Sequence, residues 1–323
     1  MGKSTLKIVF MGTAEFAVAS LDALVSEGFK PVAVVTAPDK PSGRGQKVQY
    51  SPVKQYALQH GIPALQPVNL KDEAFIDQLR NLKPDLQIVV AFRMLPKAVW
   101  QIPSEGTFNL HASLLPQYRG AAPVNHAIIN GEKITGVTTF FIDEKIDTGK
   151  IIMQEELVIG DDETAGELHD RLMESGAHLV VKTVQEIQSG SIKPMDQTEF
   201  EVPENQLKNA PKIFKEDCRI NLQEDAGYLF NFIRGLSPYP AAYLFFELES
   251  NESLQVKIFK VKISDAYDSL AAGAFHSDGK SFLKVGCGAG SLQILELQVQ
   301  GKKRMSVEEF LRGFNISKLQ SIS

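Results

Sequence analysis

The length, composition and charge of this sequence exclude several classes of protein. Its 323 residues, 43% hydrophobic and 23% charged, are enough to bury a full core and, by the usual domain size, to form about two domains. No stretch approaches the roughly 18 apolar residues of a membrane-spanning helix. The first residues also lack the pattern of a signal peptide, so we expect a cytoplasmic protein with no membrane partner.

The formal net charge of −5 by itself argues against a nucleic-acid-binding protein. The charge is unevenly shared, because residues 204–323 hold 15 basic and 14 acidic side chains whereas residues 1–203 hold 19 and 25. This asymmetry indicates local basic patches in the second half. Cys218 and Cys287 lie far apart without a Cys-x-x-Cys spacing, so the sequence predicts buried or incidental thiols, with neither a disulfide framework nor a zinc site.

Residues 1–203 alternate strand and helix patterns. Strands are predicted at LKIVFMG, PVAVVTA, LQIVVAF, GTFNLHA and GVTTFFID, and helices at AEFAVASLDALVSEG, SPVKQYALQHG, EAFIDQLRNL and APVNHAIING. A long helix follows, starting with a capping-box pattern at Thr164 and Glu167. The order predicts an α/β fold with a doubly wound, mostly parallel, Rossmann-like sheet, which binds ligands beyond the carboxyl ends of its strands.

The segment SGSIKPMDQTEFEVPENQLKNAPKI, residues 189–213, interrupts this pattern and is typical of a linker. We place the linker proper at residues 204–210, between a catalytic domain of residues 1–203 and a second domain of residues 211–323. In the second domain AAYLFFEL, LQVKIFKVKIS, SFLKVGCG and SLQILELQV are short, β-branched and aromatic, and are separated by turn signals. They predict a small β-barrel, such as the open five-stranded OB-like barrel that handles oligonucleotides, although spacing leaves other small barrels open.

Asn109 and His111 stand two residues apart at the end of a predicted strand, so both side chains project from the same face. Downstream, Asp147 lies in a turn-rich Asp-Thr-Gly loop, where alone it is most simply a turn former. Together the three supply a neutral donor, an imidazole and a carboxylate, which suits acyl transfer to a nucleophile of the substrate. No serine or cysteine nucleophile is required, and no histidine or acidic cluster has metal-ligand spacing.

The first strand ends at Gly12 in the stretch FMGTAEF, which superficially matches a dinucleotide-binding turn. That fingerprint requires three glycines, for the turn, the pyrophosphate and helix packing, and only one is present. The sequence therefore does not predict a nicotinamide enzyme, and Gly12 is expected to serve the turn itself.

Besides the Asn109, His111 and Asp147 set, the chain contains several longer stretches of interest. SLLP and YRGAAP follow the histidine, and elsewhere in the chain are MGTAEFA, TAPDKPSGRGQK before SPVK, LPKAVW, GLSPYPAAYLFF and GKKRMS. They resemble the folate-dependent formyltransferases over nearly the whole chain. The Asn-His-Asp set belongs to the wider superfamily, whereas the long loop and the second domain resemble the members that act on initiator tRNA. The resemblance implies that 10-formyltetrahydrofolate, with no metal, donates its formyl group to the α-amine of methionine on that tRNA for translation initiation.

The resemblance also implies roles for individual residues. Asn109 and His111 would stabilise the developing oxyanion, and Asp147 would relay the proton that the amine loses. The residues implied in folate binding are Ser113, Leu114, Leu115 and Pro116, as an apolar wall, and Phe92, Arg93, Met94 and Leu95. The residues implied in tRNA binding are Lys40, Arg44 and Lys47 in a basic loop of residues 39–47, and Lys302, Lys303 and Arg304 in the second domain.

The segment Phe92–Leu95 departs from the family pattern, because Arg93 stands where many members carry glycine and the segment is one residue shorter. We expect the pterin contacts there to differ while the reaction class stays the same. Two alternatives remain open: a formyltransferase acting on an amino sugar or another small amine such as glycinamide ribonucleotide, and a non-catalytic RNA-binding protein that works through its barrel. The intact Asn-His-Asp set disfavours the second. We expect the protein to act as a monomer.

Overall fold

The computed structural model describes residues 6–42, 47–200, 202–264 and 270–323. The chain divides into two compact units. The first unit comprises Met1–Gly120, Thr135–Leu157 and Asp170–Asn209. The second comprises Ala121–Ile134, Val158–His169 and Ala210–Ser323. The domain limits predicted from the sequence, 1–203, 204–210 and 211–323, remain a proposal.

The regular elements follow in chain order. The helices are α1 Glu15–Ser26, α2 Pro52–Gln59, α3 Glu73–Leu82, α4 Lys97–Trp100, α5 Pro123–Ile129, α6 Ala165–Ser189, α7 Ala226–Leu236 and α8 Val307–Gly313. The strands are β1 Ile8–Gly12, β2 Ala33–Val35, β3 Lys40–Ser42, β4 Lys47–Gln49, β5 Ala64–Leu65, β6 Leu86–Val90, β7 Thr107–His111, β8 Arg119–Gly120, β9 Ile134–Phe141, β10 Ile151–Val158, β11 Asn209–Ala210, β12 Ala242–Leu248, β13 Ser253–Ile263, β14 Phe275–Ser277, β15 Leu283–Gly286, β16 Ser291–Val299, β17 Met305–Ser306 and β18 Leu319–Ile322. Short 3-10 turns lie at Gln197–Phe200, Glu204–Gln206, Glu216–Cys218 and Ile316–Lys318.

The first unit is built on a sheet of order β10-β9-β7-β6-β1-β2-β5. The strands from β7 to β5 are parallel, and β9 runs antiparallel to β7. The doubly wound, mostly parallel sheet predicted from the sequence is therefore confirmed. The strand order reverses between β1 and β6, whose carboxyl ends pair at Gly12 and Val90. Ligands of such sheets bind at this reversal.

Gly12 is required by close packing at the end of β1. A Cβ atom there would lie 2.5 Å from the Cβ of Ala17 and 3.0 Å from the carbonyl oxygen of Val90. Helix α1 therefore starts directly against the sheet. The capping box before α6 is also confirmed, since Thr164 N donates to Glu167 Oε2 at 2.8 Å and Glu167 N donates to Thr164 Oγ1 at 3.3 Å.

The basic segment of residues 39–47 was expected to be a loop without regular structure, and this expectation is wrong at both ends. Strands β3 and β4 pair antiparallel there, with Lys40 opposite Gln49 and Ser42 opposite Lys47. A hairpin forms because both flanks are extended and close enough to share backbone hydrogen bonds. Residues 43–46, including Arg44, lie outside the described residues.

The predicted linker of residues 189–213 packs onto the first unit over its first part. Met195 and Ile151 exchange two backbone hydrogen bonds of 2.8 Å. Gln197 is only 5% exposed, and Phe200 packs against a small buried apolar cluster. Because its side chains find these buried partners, this part of the segment belongs to the first unit and is not a free connection.

The second unit is an antiparallel barrel-like sheet of order β14-β15-β16-β13-β12-β18, with β17 paired to β16. Strand β12 alternates buried and half-buried residues, as expected when one face covers a core. Near closure comes from Ile322 N, which donates to the carbonyl oxygen of Gly273 at 3.1 Å. The predicted barrel is confirmed, and the four predicted segments form β12, β13, β15 and β16. The other three described strands, β14, β17 and the terminal β18, are short and carry weak periodicity.

Candidate active site

Strand β7 carries Asn109 and His111 to its carboxyl end, beside β6 on one side and β9 on the other. The two side chains share a face because they are two residues apart. His111 is 6% exposed, and its ring meets Phe140 edge to face at 6.5 Å between centroids. The Asn109 amide forms no hydrogen bond with any residue that the structure describes, so it is available to a ligand.

The two ring nitrogens of His111 face different partners. Nε2 lies 2.9 Å from the carbonyl oxygen of Tyr118, and since a carbonyl only accepts, Nε2 carries the hydrogen. Nδ1 lies 3.9 Å from Asp147 Oδ2, which is beyond hydrogen-bonding distance but close enough for charge stabilisation. The resemblance implies that His111 stabilises the oxyanion, and this arrangement limits how it could do so. In the neutral ring Nδ1 is an acceptor, so His111 could donate to an oxyanion from Nδ1 only when the ring is protonated.

Asp147 is held in an unusual backbone conformation. Its φ angle is +55°, in the left-handed region, which costs a non-glycine residue about 1–3 kcal/mol although aspartate is among the residues found there more often. Its Oδ2 accepts a hydrogen bond of 2.9 Å from Gly120 N. Two positions on, Gly149 is required because a Cβ there would lie 1.7 Å from the carbonyl oxygen of Phe141. The loop is shaped to present this carboxylate to His111.

Asp143 belongs to the same loop but serves it differently. Its carboxylate accepts from Lys145 N at 2.9 Å and from Thr148 Oγ1 at 2.8 Å. These bonds satisfy the loop's own donors, so Asp143 shapes the turn and does not face His111.

Gln197 is the residue at this site that sequence reasoning missed. Its Nε2 donates to the carbonyl oxygens of Asp147 at 2.9 Å and Gly149 at 2.8 Å. Its Oε1 accepts from Arg119 Nε at 3.1 Å and Nη2 at 2.6 Å. No motif or periodicity marks this glutamine, which lies 50 residues after Asp147 in a segment that resembles a linker.

In the predicted folate wall at Ser113–Pro116 the structure buries three of the four side chains. Ser113 is fully buried and donates its hydroxyl to the Gln117 carbonyl oxygen at 2.7 Å. Leu115 packs into the interior against Phe140, and Pro116 is buried as well. Of the four side chains only that of Leu114 is partly exposed, and the folate wall, which also includes the backbone of this stretch, stays a prediction.

Residues 68–71 and 93–97 line an open groove of about 570 Å³ in the first unit, next to the carboxyl end of β6. Arg93 closes one side of it, because its Nη1 donates to the Val68 carbonyl oxygen at 2.9 Å and its Nη2 to that of Pro67. Met94 is exposed and Phe92 and Leu95 are more buried. Arg93 thus ties residues 92–95 to residues 67–68.

An ion pair connects this segment to the loop that carries Asp147. Lys97 Nζ donates to Glu144, and this hydrogen bond is the main reason that the pKa of Glu144 lies below its ordinary value. Both side chains are exposed, so the pair contributes little stability and mainly aligns two loops of the first unit.

The residues implied in tRNA binding fall in three places. Lys40 and Lys47 lie in β3 and β4, while Arg44 falls outside the described residues. Lys302 and Lys303 are exposed before β17. Arg304 is already engaged, since its Nε donates to Glu296 Oε2 at 2.7 Å and its guanidinium lies 4.5 Å from the Phe259 ring centre. A phosphate would therefore compete with Glu296 for this guanidinium, and the tRNA contact of Arg304 stays a prediction.

Within residues 6–42, 47–200, 202–264 and 270–323 no three His, Cys, Asp or Glu side chains are grouped so that they could hold a metal ion. Over those same ranges, no helix combines the length and apolar character needed to cross a bilayer.

Comparison with known proteins agrees with the resemblance seen in the sequence. The formyl transferase family matches residues 6–184, and the formyl transferase C-terminal domain matches residues 212–315. A methionyl-tRNA formyltransferase of Bacteroides fragilis is 52% identical over 98% of both chains, and one of Flavobacterium johnsoniae is 52% identical over 97% of both.

Solved structures share the fold at lower identity. The N-formyltransferase from Helicobacter canadensis in complex with folinic acid and dTDP-3-aminofucose is 21% identical, with a TM-score of 0.63 over 93% of this chain and 100% of that one. HypX from Aquifex aeolicus in complex with tetrahydrofolic acid is 18% identical, with a TM-score of 0.62 over 95% of this chain and 47% of that one. With two family domains in order and half of all positions identical to its relatives, this chain belongs to the formyltransferase family, in the group of the methionyl-tRNA formyltransferases.

Proposed function

We propose that this protein transfers the formyl group of 10-formyltetrahydrofolate to the α-amino group of methionine esterified to initiator tRNA. The observation that carries the proposal is the 52% identity, over 98% of both chains, to a methionyl-tRNA formyltransferase. The juxtaposition of His111 and Asp147, 3.9 Å apart beside the open amide of Asn109, is consistent with that reaction. The protein would act in the cytoplasm, as a monomer, at the start of translation.

The chemistry follows from the groups at the end of β7. The amine nitrogen attacks the formyl carbon, and the carbonyl oxygen becomes an oxyanion that needs a donor placed in advance. Asn109 supplies that donor from a side chain with no competing partner among the described residues. The bond from the formyl carbon to nitrogen-10 of the folate then breaks, and the product is a formamide.

The amine must lose one proton, and nitrogen-10 must gain one as its bond to carbon breaks. His111 Nδ1 is the acceptor oriented for this transfer, because Nε2 is committed to Tyr118. The Asp147 carboxylate stabilises the imidazolium that forms without taking the proton itself. The proton then passes from Nδ1 to nitrogen-10, so the histidine ends the cycle neutral.

An acceptor comparison tests the proposal. Wild-type protein and radiolabelled 10-formyltetrahydrofolate are incubated in parallel with charged initiator methionyl-tRNA, charged elongator methionyl-tRNA and a dTDP-linked amino sugar. We expect label on initiator methionyl-tRNA at a rate at least about tenfold above the other two. Faster labelling of the amino sugar would overturn the proposal in favour of the small-amine alternative, and folate binding without any transfer would favour the non-catalytic one.

A further inference from the structure

Gln197 is buried, and its side chain lies between Arg119 and the backbone of the loop that carries Asp147. Its side-chain amide uses both hydrogens on the carbonyl oxygens of Asp147 and Gly149, and its oxygen receives both available bonds from Arg119. The orientation of the amide is unambiguous, because the carbonyl oxygens only accept and the guanidinium only donates. Every polar atom of this side chain is therefore satisfied within the first unit.

These hydrogen bonds connect Gln197 to the backbone of Asp147 directly and to its carboxylate through Arg119 and Gly120. Arg119 immediately precedes Gly120, whose N–H donates to Asp147 Oδ2 at 2.9 Å. The backbone of Asp147 and the strand that donates to its side chain are thus tied to the same amide. Since Asp147 has a φ of +55°, its backbone needs external hydrogen bonds to stay in that conformation.

We propose that Gln197 is a positioning residue for formyl transfer, which acts through Asp147 by fixing the distance between its carboxylate and His111 Nδ1. The expected effect on kcat rests on the proposed function. The expected effect on the loop that carries Asp147 can be measured without any activity. A glutamate at this position would lack the two donors and face two carbonyl oxygens with a negative charge, so the amide itself is required.

The test begins with kinetics of the full-length chain. Gln197→Ala and Gln197→Glu are each expected to lower kcat by about 10- to 100-fold, the loss that a misplacement of about 1 Å produces, while KM for folate and for methionyl-tRNA changes less than about threefold. Glu199→Gln is the matched control. Glu199 lies on the same 3-10 turn, is exposed and accepts from Asp196 N at 2.9 Å, so the exchange alters charge without touching Asp147. Its kcat should stay within about twofold of wild type.

A double-mutant comparison separates positioning from general structural support. In an Asp147→Asn background, measured by single-turnover transfer, adding Gln197→Ala should change the rate less than about twofold, because the group through which Gln197 acts is already disabled. If the 10- to 100-fold loss recurs in that background, or if Gln197→Ala shows wild-type kcat, the inference is overturned.

Amide hydrogen exchange followed by mass spectrometry provides the readout that does not depend on activity. Gln197→Ala and Gln197→Glu should both speed exchange in a peptide covering residues 143–150, while peptides from β1 and β6 stay as in wild type. Unchanged exchange of residues 143–150 in both variants would contradict the inference, whichever amine the wild-type protein formylates. Wild-type transfer to methionyl-tRNA tests the proposed function separately.

Discussion

At His111 the two ring nitrogens have separate tasks, and the substitution His111→Ala removes both. We expect kcat to fall by roughly 10²- to 10³-fold, with folate affinity nearly unchanged, because the lost group carries the proton from the amine to nitrogen-10 and does not hold the folate. Steady-state kinetics with equilibrium folate binding measures both effects. A loss confined to folate affinity would show that His111 only lines the binding site.

Asp147 is tested by a substitution that keeps its shape. Asp147→Asn retains a side chain that tolerates the left-handed conformation but removes the charge beside Nδ1, so kcat should fall by about 10²- to 10⁴-fold. Asp143→Asn is the control, since the amide keeps an oxygen for Lys145 N and Thr148 Oγ1, and it should stay within about threefold of wild type. Equal losses in the two variants would reduce Asp147 to a turn former.

The two thiols give a prediction outside the active site. Burial raises the pKa of Cys218, and it raises that of Cys287 to about 11. At pH 8 both are therefore thiols and not reactive thiolates, and the native protein should resist alkylation by iodoacetamide over hours while unfolded protein reacts within minutes. Rapid labelling of either cysteine without unfolding would contradict their burial.

The sequence could predict which residues meet at the end of β7 but not the hydrogen bonds that hold them there. Asn109 and His111 mark a strand end through a spacing of two, and Asp147 marks a turn through its glycine neighbour, which are local signals. The bonds from His111 to Tyr118 and from Gln197 to Asp147 depend on how separate segments meet in space. The burial of Ser113 and Leu115 has the same origin, since an apolar wall and an apolar core residue look alike in a sequence.

Among the elements, strands made of continuous apolar residues were predictable from the sequence, whereas strands that mix polar and apolar residues were not. Strands β1 and β6 are buried along their whole length and read as continuous apolar segments. Strand β10, by contrast, alternates little and lies at the sheet edge with several exposed positions, so no strand was predicted there. The hairpin of β3 and β4 contains proline and lysine, which favour loops in the absence of a pairing partner.

The loop between β9 and β10 yields a test at this scale. Gly149→Ala places a Cβ 1.7 Å from the Phe141 carbonyl oxygen, so the backbone must shift. We expect a loss of about 1–3 kcal/mol in the free energy of unfolding, together with a lower kcat as Asp147 moves. Gly313→Ala, where a Cβ meets nothing within 4 Å, is the control and should change stability by less than about 0.5 kcal/mol in chemical denaturation. Equal stability of the two variants would contradict the close approach at Gly149.

For the whole molecule, the sequence predicted two units and the character of each. It did not show that Ala121–Ile134 and Val158–His169 group with the second unit, because membership in a compact unit is set by contacts between segments far apart in the chain. The change in sequence pattern near residue 210, from alternating strands and helices to short β-branched and aromatic segments, marks only where the barrel strands begin.

Binding of tRNA tests the account at the same scale. Phosphate contacts release counterions, so the affinity for charged initiator tRNA should fall steeply with salt, and each lost contact should reduce the log–log slope by about 0.7 to 0.9. Arg44→Ala and Lys303→Ala should each weaken tRNA binding with folate affinity unchanged, whereas Arg304→Ala should act less on the slope because Arg304 is paired with Glu296. Salt-independent binding, or silence of both Arg44→Ala and Lys303→Ala, would refute a tRNA partner held by these patches.

The most direct test of the central claim is single-turnover transfer at saturating 10-formyltetrahydrofolate with excess wild-type protein or Asn109→Ala over charged initiator methionyl-tRNA. The account predicts that wild type formylates all of the methionine in one phase. It also predicts that Asn109→Ala does so about 10²- to 10³-fold more slowly, at equal folate occupancy, because the oxyanion has lost its donor. Formylation by Asn109→Ala at the wild-type rate, or no formyl-methionine from the wild type, would contradict it.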